Sequence, residues 1–120
     1  MATLFAKLPS ALQNAIKAVD KLTSAGNKSA TIDTTSDKLF LLSEVEIFGS
    51  TDFSASGEGS QYAYYKAGNS KVKKVNGSAS NWRERSPDVS STNFCYVSNK
   101  GTYGSAGAAP SYGVAFGFCV

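Results

Sequence analysis

The residue types able to do chemistry are few and far apart. Glu44 and Glu46 stand two residues apart, Glu84 lies between Arg83 and Arg85, Lys71, Lys73 and Lys74 form a short basic run, and the cysteines are Cys95 and Cys119. Paired carboxylates can share acid and base work, but residues two apart on a helical turn do not face each other. Ser43-Glu44-Val45-Glu46 is instead a capping-box pattern, which assigns both acids to cap and surface roles. Strand alternation from Trp82 puts Arg83 and Arg85 on one face and Glu84 on the other. A core-ward acid needs a partner. An ion pair with an arginine from a neighbouring segment is the structural reading of Glu84, and a ligand contact is the functional one.

Cys95 and Cys119 sit in Phe94-Cys95-Tyr96 and Phe118-Cys119-Val120, apolar settings that suit buried small hydrophobes. A disulfide or a redox-active pair stays open, because spacing alone does not bring two Cα atoms within bonding reach. No neighbouring cation or helix start is seen to activate either thiol. The three lysines read as a solvated loop. Gly57-Glu58-Gly59 lacks the strand–turn–helix setting of a phosphate loop.

Composition excludes several chemistries. The 120 residues make one domain, 1–120. The chain has no histidine, so it holds no Ser–His–Asp triad, no Cys–His pair and no imidazole metal site. Two cysteines exclude a four-thiolate zinc site. The acids are scattered along the chain, which predicts no calcium site, and no cofactor is expected. A net charge of +3 is too small to imply a nucleic-acid surface. Seven Phe, six Tyr and one Trp supply a modest core. Met1 to Ser10 lacks the charged start and apolar run of a signal peptide. Residues 101–120 carry no charge, but their glycines and Pro110 leave too little continuous apolar length for a membrane span.

The elements that must position these residues follow from periodicity. Leu8, Leu12, Ala15, Ile16 and Val19 repeat at helical spacing and predict a helix from about Pro9 to Lys21. Thr23 to Asp37 is polar and reads mostly as loop, with a short strand at Ala30–Ile32. Lys38–Leu42 reads as a buried strand, Ser43–Glu46 opens a helical turn closing at Gly49, and Ser60–Lys66 reads as a short helix. Asn76-Gly77 is a turn signal. Trp82–Arg85, Asn93–Val97 and Gly113–Cys119 alternate as strands, and Asn99-Lys100-Gly101 is a hairpin turn. Helices first and strands second argue an α+β fold with an antiparallel sheet.

Several motifs occur together in order: Phe40-Leu41-Leu42-Ser43-Glu44-Val45-Glu46-Ile47-Phe48-Gly49, Glu58-Gly59-Ser60-Gln61-Tyr62 with Tyr64-Tyr65, Asn76-Gly77-Ser78-Ala79-Ser80, Trp82 with Glu84-Arg85-Ser86-Pro87, Thr92-Asn93-Phe94-Cys95, and Gly113-Val114-Ala115-Phe116. Over Leu8 to Val120 this set resembles a domain-of-unknown-function family of gut bacteria and their phages, marked by Trp-x-x-Arg-Ser-Pro. The chain departs from the family at Arg83 and at Phe116, where a large residue and a proline are usual. Members resemble C-type-lectin-fold proteins, including the variable proteins of diversity-generating retroelements. The resemblance implies a C-type-lectin-like fold, with N-terminal helices packed on a small antiparallel sheet with long loops, and a candidate variable region over 81–120.

Adenine-directed mutagenesis of an AAC-type codon cannot yield Lys, Glu, Gln, Met or Trp. Every residue from Thr102 to Pro110 lies among those it can yield, as do Asn81, Arg83, Asp88, Val89, Ser90 and Ser91. The implied function is a non-catalytic ligand- or receptor-binding display domain on a virion tail or bacterial cell surface. Its partner would be a host-surface protein or glycan, with a homo-oligomer allowed and neither nucleic acid nor membrane insertion implied. The binding face would comprise Asn81, Arg83, Asp88, Val89, Ser90, Ser91, Tyr103, Ser105, Ala106, Ala108, Ala109, Pro110 and Tyr112. Trp82, Phe94, Val97, Val114 and Phe116 would be its scaffold. The alternatives are a structural tail or surface protein, and a lectin-fold oxidase using Cys95 and Cys119.

Overall fold

Pro9 does precede a helix, but that helix is short. In the computed structural model, which describes residues 2–26, 29–90 and 92–120, α1 (Ala2–Ala6) leads into α2 (Ser10–Ala15). The chain becomes extended at Ile16, with φ −70° and ψ 128°. From there β1 (Val19–Gly26) pairs antiparallel with β2 (Ser29–Asp37), in register from Val19↔Asp37 to Ser24↔Ile32, with a shift before Gly26↔Ser29. The expected helix end at Lys21 and the expected loop over 23–37 are both corrected. Thr23, Thr31, Ile32, Thr34 and Thr35 are β-branched and favour a pleated backbone. They are mostly polar, so the hairpin shows no hydrophobic alternation.

The strand expected at 38–42 shrinks to β3 (Phe40–Leu41), paired with β9 (Phe116–Gly117) near the chain's end. Helix α3 (Glu44–Phe48) is capped as its sequence predicts: the Ser43 hydroxyl accepts from the Glu46 amide at 3.2 Å. Gly49 closes it in the left-handed region at φ 72°, where a side chain would be strained. Helix α4 (Ala63–Lys66) is the C-terminal part of the expected 60–66 helix. Strands β4 (Lys73–Val75) and β5 (Ser78–Ser80) form a hairpin around Asn76 (φ 50°) and Gly77 (φ 85°), the left-handed pair that a tight hairpin requires.

The three-stranded sheet comprises β6 (Trp82–Pro87), β7 (Phe94–Val97) and β8 (Tyr103–Ala106), antiparallel in that order. The third strand expected over 113–119 is reduced to β9 plus single bridges at Gly113 and Cys119, because Gly113 and Gly117 supply no side chains to hold a longer ladder. Among the described residues the domain is α+β, with short helices and several small antiparallel sheets.

Ile47, Tyr65, Trp82 and Val97 form the hydrophobic centre, with Leu42, Phe48 and Ala115 against it. Trp82 is 1% exposed, and its indole N–H donates to the Lys71 carbonyl at 2.9 Å. It is the anchor its sequence position suggests. Two other expected scaffold residues are not buried: Phe94 is 39% exposed and Val114 61%.

Candidate functional site

The two faces of the three-stranded sheet have different chemistry. Trp82, Glu84, Ser86 and Asp88 point inward and are all buried. The Ser86 hydroxyl accepts the Glu44 amide at 2.9 Å. The Glu44 carboxylate in turn accepts the amide and hydroxyl of Ser54, at 3.0 and 2.9 Å, and the Phe53 amide at 3.2 Å. Glu58, also buried, accepts the Ser24 amide at 2.8 Å through Oε2. Glu44 and Glu46 are therefore interior residues, at 0% and 2% exposure, and the surface role expected for them is corrected.

Arginine pairing also differs from the expectation. Arg85 forks onto Glu46, with Nη2–Oε1 at 2.5 Å and Nη1–Oε2 at 3.1 Å, while Lys21 reaches Glu46 Oε1 at 2.9 Å. Among the described residues Glu84 has no ion pair, and neither of its oxygens has a hydrogen-bond partner. Burial first, then the charges of Glu44 and Glu58, push its carboxyl up to about 9. At neutral pH it is a protonated acid. The acids are thus not scattered in space. Even so, among the described residues no three acid or thiol groups are placed to hold a metal ion. Cys95 lies buried on this same inner face, whereas Cys119 is exposed, and both thiols are free. Burial, followed by the charge of Glu84, pushes the Cys95 thiol far above its usual range, which disfavours the thiolate that nucleophilic or redox chemistry needs.

The outer face carries Arg83 opposite Tyr96, and Tyr96 opposite Gly104. A Cβ on Gly104 would lie 2.6 Å from Tyr96 Cζ, so the tyrosine ring rests directly on the glycine backbone. Tyr112 packs on Tyr96 with centroids 4.9 Å apart, and the Arg83 guanidinium stacks on Tyr112 at 4.4 Å. Arg83 Nη2 also donates to the Gly107 and Pro110 carbonyls, at 2.7 and 3.1 Å. The guanidinium thereby ties both ends of the 107–110 turn to the sheet. Gly104→Ala should expel Tyr96 from its seat and cost about 1–3 kcal/mol, read as a lower melting temperature with a changed tyrosine signal in near-ultraviolet circular dichroism. An unchanged signal and melt would show that the ring does not depend on that contact.

The profile of the DUF6273 family, a domain of unknown function, matches residues 2–120. The chain belongs to that family. No curated protein matches it, and no solved structure does.

In this DUF6273 domain the expected binding residues fall into separate groups. Arg83, Tyr112, Ala108, Ala109 and Pro110 come together on the outer face, the last three exposed. Ala106 stands beside Phe94 on the same face. Asp88 does not belong to an open face: it is 5% exposed and accepts from the Ser90 amide and hydroxyl, both at 2.8 Å, and from Ser105 Oγ at 2.7 Å. Burial pushes the Asp88 carboxyl up, but these hydrogen bonds outweigh it and hold the group below its ordinary value. Asp88 and Ser105 are thus corrected from contact residues to a knot that pins the turn after β6, and Ser90 completes it. Val89 donates its amide to the Phe53 carbonyl at 2.9 Å, and Ser91 lies outside the described residues.

Tyr103 shares the inner face with Val97 and packs edge-on against Phe48 and Phe53, at 5.4 and 5.6 Å. The Asn81 side chain accepts the Asn99 amide at 2.8 Å and so holds the β7–β8 turn. Tyr96 is the outer-face residue that sequence reasoning did not place in the site. Alternation from the inward Cys95 and Val97 is the signal that places Tyr96 outward.

Proposed function

We propose that the domain is a non-catalytic ligand- or receptor-binding module of C-type-lectin type, a display domain of the retroelement-diversified kind carried on a phage tail or a bacterial cell surface. The observation that supports it is the placement of residues 107–112. Ala108, Ala109, Pro110 and Ser111 are exposed and uncharged, and none of them belongs to the buried core. The segment is nonetheless held firmly, by Arg83 at Gly107 and Pro110 and by the Tyr112–Tyr96 contact. A loop whose tips are free and whose ends are fixed on a sheet is the arrangement in which side chains can vary without disturbing the scaffold. A host-surface protein or glycan is the partner class, met by Tyr112 and the loop side chains.

Randomising 108–111 should leave most variants melting close to the parent, since surface changes usually cost within about 0.5 kcal/mol. Display selection from that library should yield binders to unrelated targets. Randomising 94–97 should mostly abolish folding, because Cys95 and Val97 are buried. If the two libraries unfold equally often, residues 107–112 are structural and the display reading fails. An Asn-rich template repeat beside a reverse-transcriptase gene would test the retroelement part separately.

A further inference from the structure

The net charge of +3 understates how basic the surface is. Five of the nine acids, Glu44, Glu46, Glu58, Glu84 and Asp88, are buried. The other four, Asp20, Asp33, Asp37 and Asp52, all fall between residues 20 and 52. No acid occurs from 59 to 83 or from 89 to 120. Over those stretches the cations stand without counter-charge, and the fold brings four lysines, Lys71, Lys73, Lys74 and Lys100, into one ridge.

Lys71 comes first, its carbonyl held by the Trp82 indole and its ammonium 5.6 Å from the centre of the Phe48 ring and 5.9 Å from that of Tyr65. Lys73 stands 5.5 Å over Trp82, and Lys74 is exposed beside it on β4. Lys100 joins them from the β7–β8 turn: a Cβ on the adjacent Gly101 would touch Val72 at 3.4 Å and Lys71 at 3.7 Å. Among the described residues the ion pairs are those of Lys21 and Arg85 with Glu46, and no ridge lysine makes one. Like charges held together without acids cost stability that a purely structural surface has no reason to bear.

We propose that this ridge binds an acidic polysaccharide, a linear chain bearing carboxylate or sulfate groups. The ridge neighbours the 107–112 loop, since a Cβ on Gly113 would lie 3.3 Å from Val75 of β4, but no ridge lysine falls within 107–112, and the proposal stands whether or not the loop is a recognition surface. Lysine supplies mobile, hydrated point charges that suit anions spread along a flexible chain, whereas the planar fork of arginine suits phosphodiesters. All four ridge cations are lysines. Between them lie neutral hydrogen-bonding groups for sugar hydroxyls, on Asn69, Ser70 and Asn76, and Tyr64, 58% exposed, offers a ring to a sugar face. A single-stranded nucleic acid would call for successive exposed aromatic rings on which bases stack, whereas the exposed rings here, Tyr64 at 58% and Tyr103 at 45%, stand on different elements, α4 and β8. An anionic membrane would call for a bulky apolar wedge, but the tip of the β4–β5 hairpin is Asn76-Gly77 and its exposed large hydrophobic is a single valine, Val75.

The test is binding of heparin, a dT oligonucleotide and phosphatidylserine vesicles to the full chain, measured against salt. Heparin is expected to bind most tightly, with affinity falling as salt rises. Lys73→Gln/Lys74→Gln/Lys100→Gln should weaken it about tenfold or more. Lys7→Gln/Lys17→Gln/Lys38→Gln, which removes the same charge elsewhere, should weaken it far less. Should the first variant misfold, Lys74→Gln/Lys100→Gln set against Lys7→Gln/Lys38→Gln carries the same comparison. Equal losses in the two charge-matched variants would overturn the proposal, as would tighter binding of the oligonucleotide or the vesicles.

Discussion

Raising the pH from about 5 to about 9 is expected to destabilise the domain steadily, and Glu84→Gln to remove most of that dependence. Glu84 is buried with two unpartnered oxygens, and its carboxyl is pushed up from 4.5 to about 9, by burial first and then by the charges of Glu44 and Glu58. In the unfolded chain the same acid ionises near its ordinary value. Between the two values the folded state holds a proton that the unfolded state has released, so the contribution is complete below about 4.5 and is lost as pH rises towards 9. The slope is about 1.4 kcal/mol per pH unit for one group. Glutamine keeps the shape of the protonated acid without a proton to lose. Urea unfolding of both proteins across this range checks it, and an equally steep loss in the glutamine variant would place the titrating group elsewhere.

Arg85→Met should cost about 3–5 kcal/mol, the penalty for leaving one member of a buried ion pair without its main partner. The arginine does more than neutralise Glu46. It donates to the carbonyls of Leu41 (2.8 Å), Leu22 (3.0 Å) and Glu58 (3.0 Å), joining β3, β1 and the loop after α3 in one fork. Glu46 would keep only Lys21 among its cations. Burial pushes the Glu46 carboxyl up, but hydrogen bonds and charge from Arg85 and Lys21 together outweigh it and hold the group below its ordinary value. The stability this contributes is present above about pH 4.5 and is lost as pH falls below it. Arg85→Lys should recover part of the loss, since lysine restores charge without the fork. Pairing Arg85→Met with Glu46→Leu should recover more, because an apolar replacement of both partners removes the stranded charge. Denaturant melts at neutral pH decide it; a double variant as unstable as the sum of its parts would show that the two side chains do not act together.

Local signals were legible wherever a few residues settle the backbone. The Ser43 cap and the Gly49 stop lie within one helical turn of the residues they serve, and Asn76-Gly77 carries its hairpin in two positions. Alternation over Trp82–Arg85 named the buried face correctly, including the inward Glu84, but it stopped short of Asp88, which is buried too. The β1–β2 hairpin was not legible. Its side chains are mostly exposed threonines, serines and aspartates, which do not mark one face as apolar, and Val19 happens to continue the helical spacing of Leu12 and Ile16. Tertiary contact decided that case, with Arg85 capping the Leu22 carbonyl and Glu58 the Ser24 amide on the edge of β1.

The carboxylates divide the two sources of information most sharply. Sequence alone determined what cannot be present: no imidazole chemistry, no thiolate-rich metal site, and an acid-free stretch from 59 to 83 and again from 89 to 120. Which acids face water was decided by partners far along the chain. The Glu46 carboxylate meets Arg85 at a separation of 39 and that of Glu58 meets the Ser24 amide at 34, while the Glu44 carboxylate takes its donors from Phe53 and Ser54, 9 and 10 residues on. A charged group enters the interior only where donors converge to offset its lost hydration, and no local pattern encodes that convergence. By taking five acids inward, the tertiary structure turned a chain of modest net charge into one with an unopposed lysine ridge.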